Sequence, residues 1–315
     1  IRLVIISFLF LGCKSHNLLF TEVSNEIGLN YNYPGNDHQD VGAGIVIIDV
    51  NNDGWEDIFQ AAGIFESKLW INEKGIFKDK SKEYNLQILD GMYVYGGTSG
   101  DFDNDGYTDL FIANLGIKRL RGDGKTPILL KNIEGKYFEK HTETIFPING
   151  NFNGCSMGDV NNDGFIDLYL PNYTRVMTIN HNRKGREVFS SYNPTCMNNY
   201  LYVNDKGVKF KDSTIEYKLS DKGCGLSSCF TDFDNDNDVD LILLNDFGVW
   251  THQGNRLFKN VDGEKAFQDV SAETGFYREI YGMGIGPGDI NNDGVLDYYL
   301  TNVGPNILMK NRIDT

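Results

Sequence analysis

The chain has little of what enzymes and nucleic-acid binders draw on. Its five histidines, His16, His38, His141, His181 and His252, share no spacing, and no H-E-x-x-H or P-loop phrase occurs. Zinc-hydrolase and phosphate-loop chemistries therefore have no motif to start from. Positive charge is scarce as well, with 29 Lys and Arg against 44 Asp and Glu, a formal charge of −15. A phosphate binder normally presents a net basic face, so nucleic acid is not an expected partner. Of the five cysteines, Cys13, Cys155, Cys196, Cys224 and Cys229, none stands at metal-ligand spacing with a histidine. The N-terminal apolar run, residues 3–11, falls short of the about 20 residues a membrane-spanning helix needs.

What is abundant is aspartate, and it is concentrated in one phrase. The nine residues Asp101-Phe-Asp103-Asn104-Asp105-Gly106-Tyr107-Thr108-Asp109 recur as DVNNDGWED from Asp49, DVNNDGFID from Asp159, DFDNDNDVD from Asp232 and DINNDGVLD from Asp289. Side chains at positions 1, 3 and 5 converge when the backbone curls, Gly at position 6 permits the left-handed turn, and the Asp at position 9 closes the set. The expected ligands are Asp49, Asn51, Asp53 and Asp57; Asp101, Asp103, Asp105 and Asp109; Asp159, Asn161, Asp163 and Asp167; Asp232, Asp234, Asp236 and Asp240; and Asp289, Asn291, Asp293 and Asp297. Hard oxygen donors without His or Cys favour calcium over zinc or copper, with up to five ions. Five Ca²⁺ would bring the formal −15 to about −5, so most of the acidity belongs to these loops.

An EF-hand shares the opening of the phrase but needs a bidentate Glu at position 12. Here that position holds Gln60, Ile112, Leu170, Leu243 and Leu300. The residues after each closing Asp, such as LFIAN, LYLPN and LILLN, are short apolar runs typical of buried strands, so each loop joins two strands.

Around each loop the same neighbours return. Segments rich in small residues precede it, such as Gly282-Met-Gly284-Ile-Gly286-Pro-Gly288. A Leu-x-x-Asn phrase follows, ending at Asn72, Asn132, Asn204, Asn260 and Asn311, and then a Phe-x-Asp or Phe-x-Glu phrase at Phe77, Phe210, Phe267 and Phe20. Glycine weakens a strand unless backbones must approach closely, as they do near a propeller axis. The unit is thus a four-stranded blade: glycine-rich inner strand, acidic loop, apolar second strand, Leu-x-x-Asn third strand and Phe-x-Asp outer strand. The predicted fold is an all-β propeller, and the loop spacings of 52, 58, 73 and 57 residues suit blades of that kind.

These repeats resemble the FG-GAP/VCBS family, with an arrangement similar to bacterial relatives of the cartilage acidic protein and UnbV group, over roughly residues 20–311. The resemblance implies a calcium-binding propeller, often seven-bladed, used on exported or cell-surface proteins for adhesion or ligand display. Asn237 departs from the family's glycine, and Asn is the next residue to tolerate the left-handed conformation. If residues 20–24 supply the fourth strand of the last blade, the ring closes at five blades. The family's usual size favours instead five blades of a longer ring. Four cysteines beyond Cys13 allow three pairings, and buried free thiols are the alternative.

Arg2, the apolar run and Gly12 before Cys13 read as a secretion signal, and Phe10-Leu11-Gly12-Cys13 resembles a bacterial lipoprotein box. The expected organisation is a signal segment over 1–13, a linker over 14–19 and the repeat domain over 20–315. Membrane attachment is expected through lipidated Cys13 only, on an outer-membrane lipoprotein or extracellular protein. The expected role is non-enzymatic recognition, adhesion or scaffolding, with a cell-surface glycan or protein as ligand; the alternative is a calcium-assisted polysaccharide lyase. Two connections between second and third strands are basic against the trend. One carries Lys118, Arg119, Arg121 and Lys125, the other Arg175, Arg183, Lys184 and Arg186 beside Tyr173, Phe189 and Tyr192. They are the candidate ligand patch, at the end of the propeller opposite the calcium loops.

Overall fold

The computed structural model describes residues 20–31, 44–63, 65–114, 126–144, 146, 150–173, 179–181, 187–189, 195–261 and 266–312. Their strands form five antiparallel blades of a β-propeller. The first blade is β1 (Ile45–Ile48), β2 (Asp57–Gln60), β3 (Lys68–Glu73) and β4 (Ile76–Asp79) in that order. The second is β5 (Val94–Gly100), β6 (Asp109–Asn114), β7 (Ile128–Ile133) and β8 (Tyr137–Lys140). In the third, β9 (Ser156–Gly158) and β10 (Asp167–Leu170) are followed by a separate hairpin, β11 (Ile179–His181) with β12 (Glu187–Phe189), before β13 (Tyr200–Asp205) and β14 (Lys209–Asp212) complete the sheet. The fourth is β15 (Cys224–Thr231), β16 (Asp240–Asp246), β17 (Arg256–Val261) and β18 (Ala266–Asp269). The fifth has three described strands, β19 (Gly282–Gly288), β20 (Asp297–Asn302) and β21 (Ile307–Met309).

The predicted blade order is thus observed, with each acidic loop between first and second strands and Leu-x-x-Asn on the third. Inner strands follow one another side by side, β1 to β5, β5 to β9, β9 to β15 and β15 to β19. The second strands of the three middle blades, β6, β10 and β16, are buried on both faces, which accounts for unbroken runs such as DLFIAN in β6. Apolar cores fill the four gaps between successive blades. Val46, Phe59 and Leu69 meet Val94, Leu110 and Leu130 between blades 1 and 2, while Ile242, Leu244 and Leu257 meet Tyr298 and Leu300 between blades 4 and 5.

Small residues on the inner strands answer to crowding. A Cβ on Gly97 would lie 2.5 Å from the Phe111 carbonyl oxygen on its partner strand, and one on Gly158 would meet the Phe230 side chain at 3.0 Å. Along the fifth inner strand the crowding eases, from Gly282, where a Cβ would lie 3.1 Å from the Asn245 carbonyl oxygen, to Gly288, which has open space around it.

Residues 20–24 do not form the outer strand of the fifth blade. They carry no strand, and Phe20 is 91% exposed. The segment instead repeats the turn that follows an outer strand. Ser24 N–H donates to Glu22 Oε1 at 2.7 Å, as Ser271 N–H does to Asp269 Oδ1 at 3.0 Å. The Ile27 carbonyl then accepts the Phe77 N–H of blade 1 at 2.7 Å, as the Tyr217 carbonyl accepts Phe267 N–H of blade 4 at 2.9 Å. The Phe-x-Asp phrase therefore serves as a joint between consecutive blades. On blade 1, Ile45 and Ile47 are exposed on the face away from blade 2; Tyr299 and Leu308 are exposed on blade 5.

Candidate metal centre

Each acidic loop is wound by two left-handed residues. Position 4 is always Asn at positive φ, from 55° at Asn162 to 58° at Asn104, and position 6 is Gly at 84° to 89° or Asn237 at 72°. A Cβ on Gly54, Gly106, Gly164 or Gly294 would meet nothing within 4 Å, so these positions answer to φ alone. Asn237 keeps the turn without glycine, as the sequence suggested.

The curled backbone aims its amides at the carboxylates. Asp101 accepts Asp105 N–H at 3.1 Å and Gly106 N–H at 2.8 Å, and Asp105 Oδ1 accepts Tyr107 N–H at 3.0 Å. The same bonds recur at Asp49, Asp159, Asp232 and Asp289. Position 9 is deeper. Asp57, Asp109, Asp167 and Asp240 have no exposed surface, and both oxygens of each accept backbone N–H groups. Asp109 takes Phe102 N–H at 3.0 Å and Asn132 N–H at 2.7 Å. Asp297 does the same for Ile290 and Asn311. Burial pushes these carboxyls up, to about 6 for Asp57 and about 7 for Asp109, Asp167 and Asp240, against the pull of the two amides.

The asparagine of Leu-x-x-Asn completes the unit. Its amide group donates to the loop of its own blade and to that of the blade before: Asn132 Nδ2 reaches Thr108 O at 3.0 Å and Val50 O at 2.7 Å, and Asn204 Nδ2 reaches Ile166 O at 3.0 Å and Phe102 O at 2.8 Å. Asn260 and Asn311 repeat the bond backward, to Val160 O and Phe233 O. Position 4 works forward. Asn52, Asn104 and Asn235 donate to the Gly106, Gly164 and Gly294 carbonyls of the next loop at 2.7–3.1 Å, and Asn162 donates to the Asp238 carboxylate. Neither role was read from the sequence, although an invariant Asn at position 4 of a turn was the available signal.

In the second and fourth loops three carboxylates gather, Asp101, Asp103 and Asp109, and Asp232, Asp234 and Asp240, with one oxygen of each within 4.8 Å of the others. Asp103 Oδ1 and Asp234 Oδ1 are buried without a hydrogen-bond partner. Such orphaned oxygens fit a bound cation, which would supply the missing partner. In the first and fifth loops the third-position amide turns to its neighbour, Asn51 Nδ2 to Asp53 Oδ2 at 3.0 Å and Asn291 Nδ2 to Asp293 Oδ2 at 2.6 Å.

The opposite end is built on a second set of asparagines. Asn114, Asn172 and Asn302 close the second-strand runs and accept the N–H of Tyr93, Asn151 and Tyr281, where their inner strands begin. Beside them lies an aromatic stack. Tyr173 and Phe247 are 5.7 Å apart, Phe247 and Trp250 5.5 Å, and Tyr281 stands edge-on to Trp250 at 5.6 Å. The Tyr173 hydroxyl donates to buried Asp246 at 2.6 Å. Of the predicted ligand patch, Lys118, Arg119, Arg121, Lys125, Arg175, Arg183, Lys184, Arg186 and Tyr192 lie outside the described residues, as does Cys13. A disulfide joins Cys196 to Cys224, settling the pairing, while Cys155 and Cys229 are free thiols that burial pushes up. Among the described residues no helix is long and apolar enough to cross a membrane.

The FG-GAP-like repeat model matches residues 49–112, 101–170 and 232–300. No curated protein matches the chain significantly. Solved structures that align with it include a gluconolactonase candidate (10% identity, 87% of this chain and 77% of that one, TM-score 0.45) and BBS1N in complex with ARL6DN (11%, 86% and 79%, 0.40). Another is the V. cholerae biofilm matrix protein Bap1 (10%, 70% and 38%, 0.34).

The division between buried and exposed carboxylates is testable without metal. Asp167→Ala strands the Val160 and Asn204 amides and should cost about 2–5 kcal/mol, whereas Asp163→Ala at the exposed rim should leave stability nearly unchanged. Urea unfolding in chelator measures both; equal losses would contradict the division.

Proposed function

The chain belongs to the FG-GAP-like repeat family, and from that premise we propose a calcium-loaded recognition or scaffold propeller, exported and held at the cell envelope, with no catalysis of its own. The observation that carries the calcium reading is the pair of buried, partnerless oxygens, Asp103 Oδ1 and Asp234 Oδ1, inside oxygen-only loops. Calcium accepts such a donor set, and extracellular modules of this kind hold it with dissociation constants of about 10⁻⁴ to 10⁻³ M. The carboxylates at positions 1, 3, 5 and 9, with Asn51, Asn161 and Asn291 at three of the third positions, would hold the ions. Charge on the ion would favour the ionised form of the buried ninth-position carboxyls. Binding to the native state alone then stabilises every blade by linkage.

Two histidines, His141 and His252, support a non-catalytic reading. His141 meets the Thr144 hydroxyl at 3.1 Å, but that hydroxyl is held by the Phe210 N–H at 2.8 Å, and exposed His252 lies 3.2 Å from Glu279. Lipidation at Cys13 and secretion remain the sequence's contribution to this proposal. For the ligand we favour the end opposite the acidic loops, which carries the aromatic stack of blades 3 to 5 and to which the sequence assigns the basic second-to-third connections. Exposed Trp250, flat and apolar, suits a sugar ring.

Thermal melting should rise by several degrees in millimolar calcium over chelator; an unchanged midpoint removes the calcium reading. On a glycan array, Trp250→Ala or the triple exchange Arg183→Glu, Lys184→Glu and Arg186→Glu should abolish the best hit while sparing the calcium-dependent melt. Retained binding in both would place the ligand elsewhere.

A further inference from the structure

The five loops differ at position 3, and the third strands differ with them. The second and fourth loops carry Asp103 and Asp234, where the first, third and fifth carry Asn51, Asn161 and Asn291. At the residue before the Leu-x-x-Asn asparagine, the second and fourth blades carry Lys131 and Lys259, where the first and third carry Ile71 and Val203. The structure brings the two variations together. Lys131 Nζ forms an ion pair with Asp103 Oδ2 and lies 3.1 Å from Asp105 Oδ2. Lys259 Nζ pairs with Asp234 Oδ2 and lies 2.9 Å from Asp236 Oδ2. Two separate blades thus show the same ammonium on the same two carboxylates.

The position of the ammonium matters. Lys131 touches positions 3 and 5 and pairs with neither Asp101 nor Asp109, so it flanks the loop and leaves the cage between positions 1, 3 and 9 to another cation. It also uses only one oxygen of Asp103, and the other, Oδ1, is the buried oxygen without a partner. Charge then balances across the loops. At positions 1, 3, 5 and 9, four carboxylates and one ammonium leave the second and fourth loops three negative charges, the number that three carboxylates leave in the first and third. Asp238, at position 7 of the fourth loop, points to Asn162 of the preceding loop instead. In the fifth blade Lys310 stands at the same register opposite Asn291 and makes no ion pair with its loop among the described residues.

We propose that Lys131 and Lys259 are built-in counter-cations that hold the third- and fifth-position carboxylates of the second and fourth loops in place and set their calcium affinity. The consequence is two classes of loop. The second and fourth keep their carboxylates arranged without metal, because the lysine offsets their mutual repulsion. The first and third carry Asn at position 3, one carboxylate fewer, and reach the same balance with no ammonium. An apolar side chain there costs nothing, because the third-position Asn brings no extra charge to offset.

This inference rests on the calcium reading for its affinity claim but not for the clamp, and the test separates them. The full chain is compared with Lys131→Met, Lys259→Met, the conservative Lys131→Arg, and the double exchange Asp103→Asn with Lys131→Ile, which recreates the Asn51 and Ile71 arrangement. In chelator, each Lys→Met variant should lower the melting midpoint by on the order of 2–4 °C, and Lys131→Arg and the double exchange should restore it. In calcium titration calorimetry, each Lys→Met variant should tighten one class of sites by roughly tenfold, since a positive charge has left the ion's surroundings. Chelator midpoints and calcium affinity both unmoved by Lys→Met overturn the proposal, as does a loss that the double exchange fails to restore. A wild-type chain that takes up no calcium overturns the calcium reading alone, and the chelator midpoints then decide the clamp.

Discussion

The propeller depends on a carboxylate that is buried and fully used. At position 9 of each loop an Asp accepts one amide from the start of its own loop and one from the third strand, so a single side chain fixes where three strands stand. Burial pushes the Asp57, Asp109, Asp167 and Asp240 carboxyls up, against the pull of their amides. The asparagine it orients then reaches back to the preceding loop, and position 4 reaches forward to the next. Blade is joined to blade by polar bonds at one end and by apolar cores along the faces between them. A change at one loop is therefore felt by its neighbours, the physical basis for treating the loops as a connected set.

That arrangement explains how much the sequence disclosed. Loops, strand order and the Leu-x-x-Asn phrase were legible because each repeats at the same register, and repetition separates a constraint from chance. The glycine-rich inner strands were read as close approaches, and Gly97 against the Phe111 carbonyl is one. Position 4 was passed over because its role lies in the next blade, at a separation of 54 residues for Asn52 and Gly106. The lysines escaped for a similar reason: Lys131 is 28 residues from Asp103, and only strand pairing brings them together. Cysteine pairing could not be chosen from spacing, and the Cys196–Cys224 bond depends on where the long third-blade connection returns.

Residues 20–24 teach the reverse lesson. Their phrase matches the outer strands, yet the structure keeps only the turn half of it, docked on blade 1. A strand needs a partner edge, while a turn needs only its own side chain and one acceptor. The local half of the motif thus forms where the paired half does not.

Native-state hydrogen exchange tests the central claim most directly, read at the Asn132, Asn204 and Asn260 amides, which donate to the ninth-position carboxylates. The account predicts that in chelator these amides exchange only through global unfolding, while the rim amides of Asp105, Asp163 and Asp236 exchange fast and slow down when calcium is added. Exchange of both groups at the same rate in chelator would contradict it.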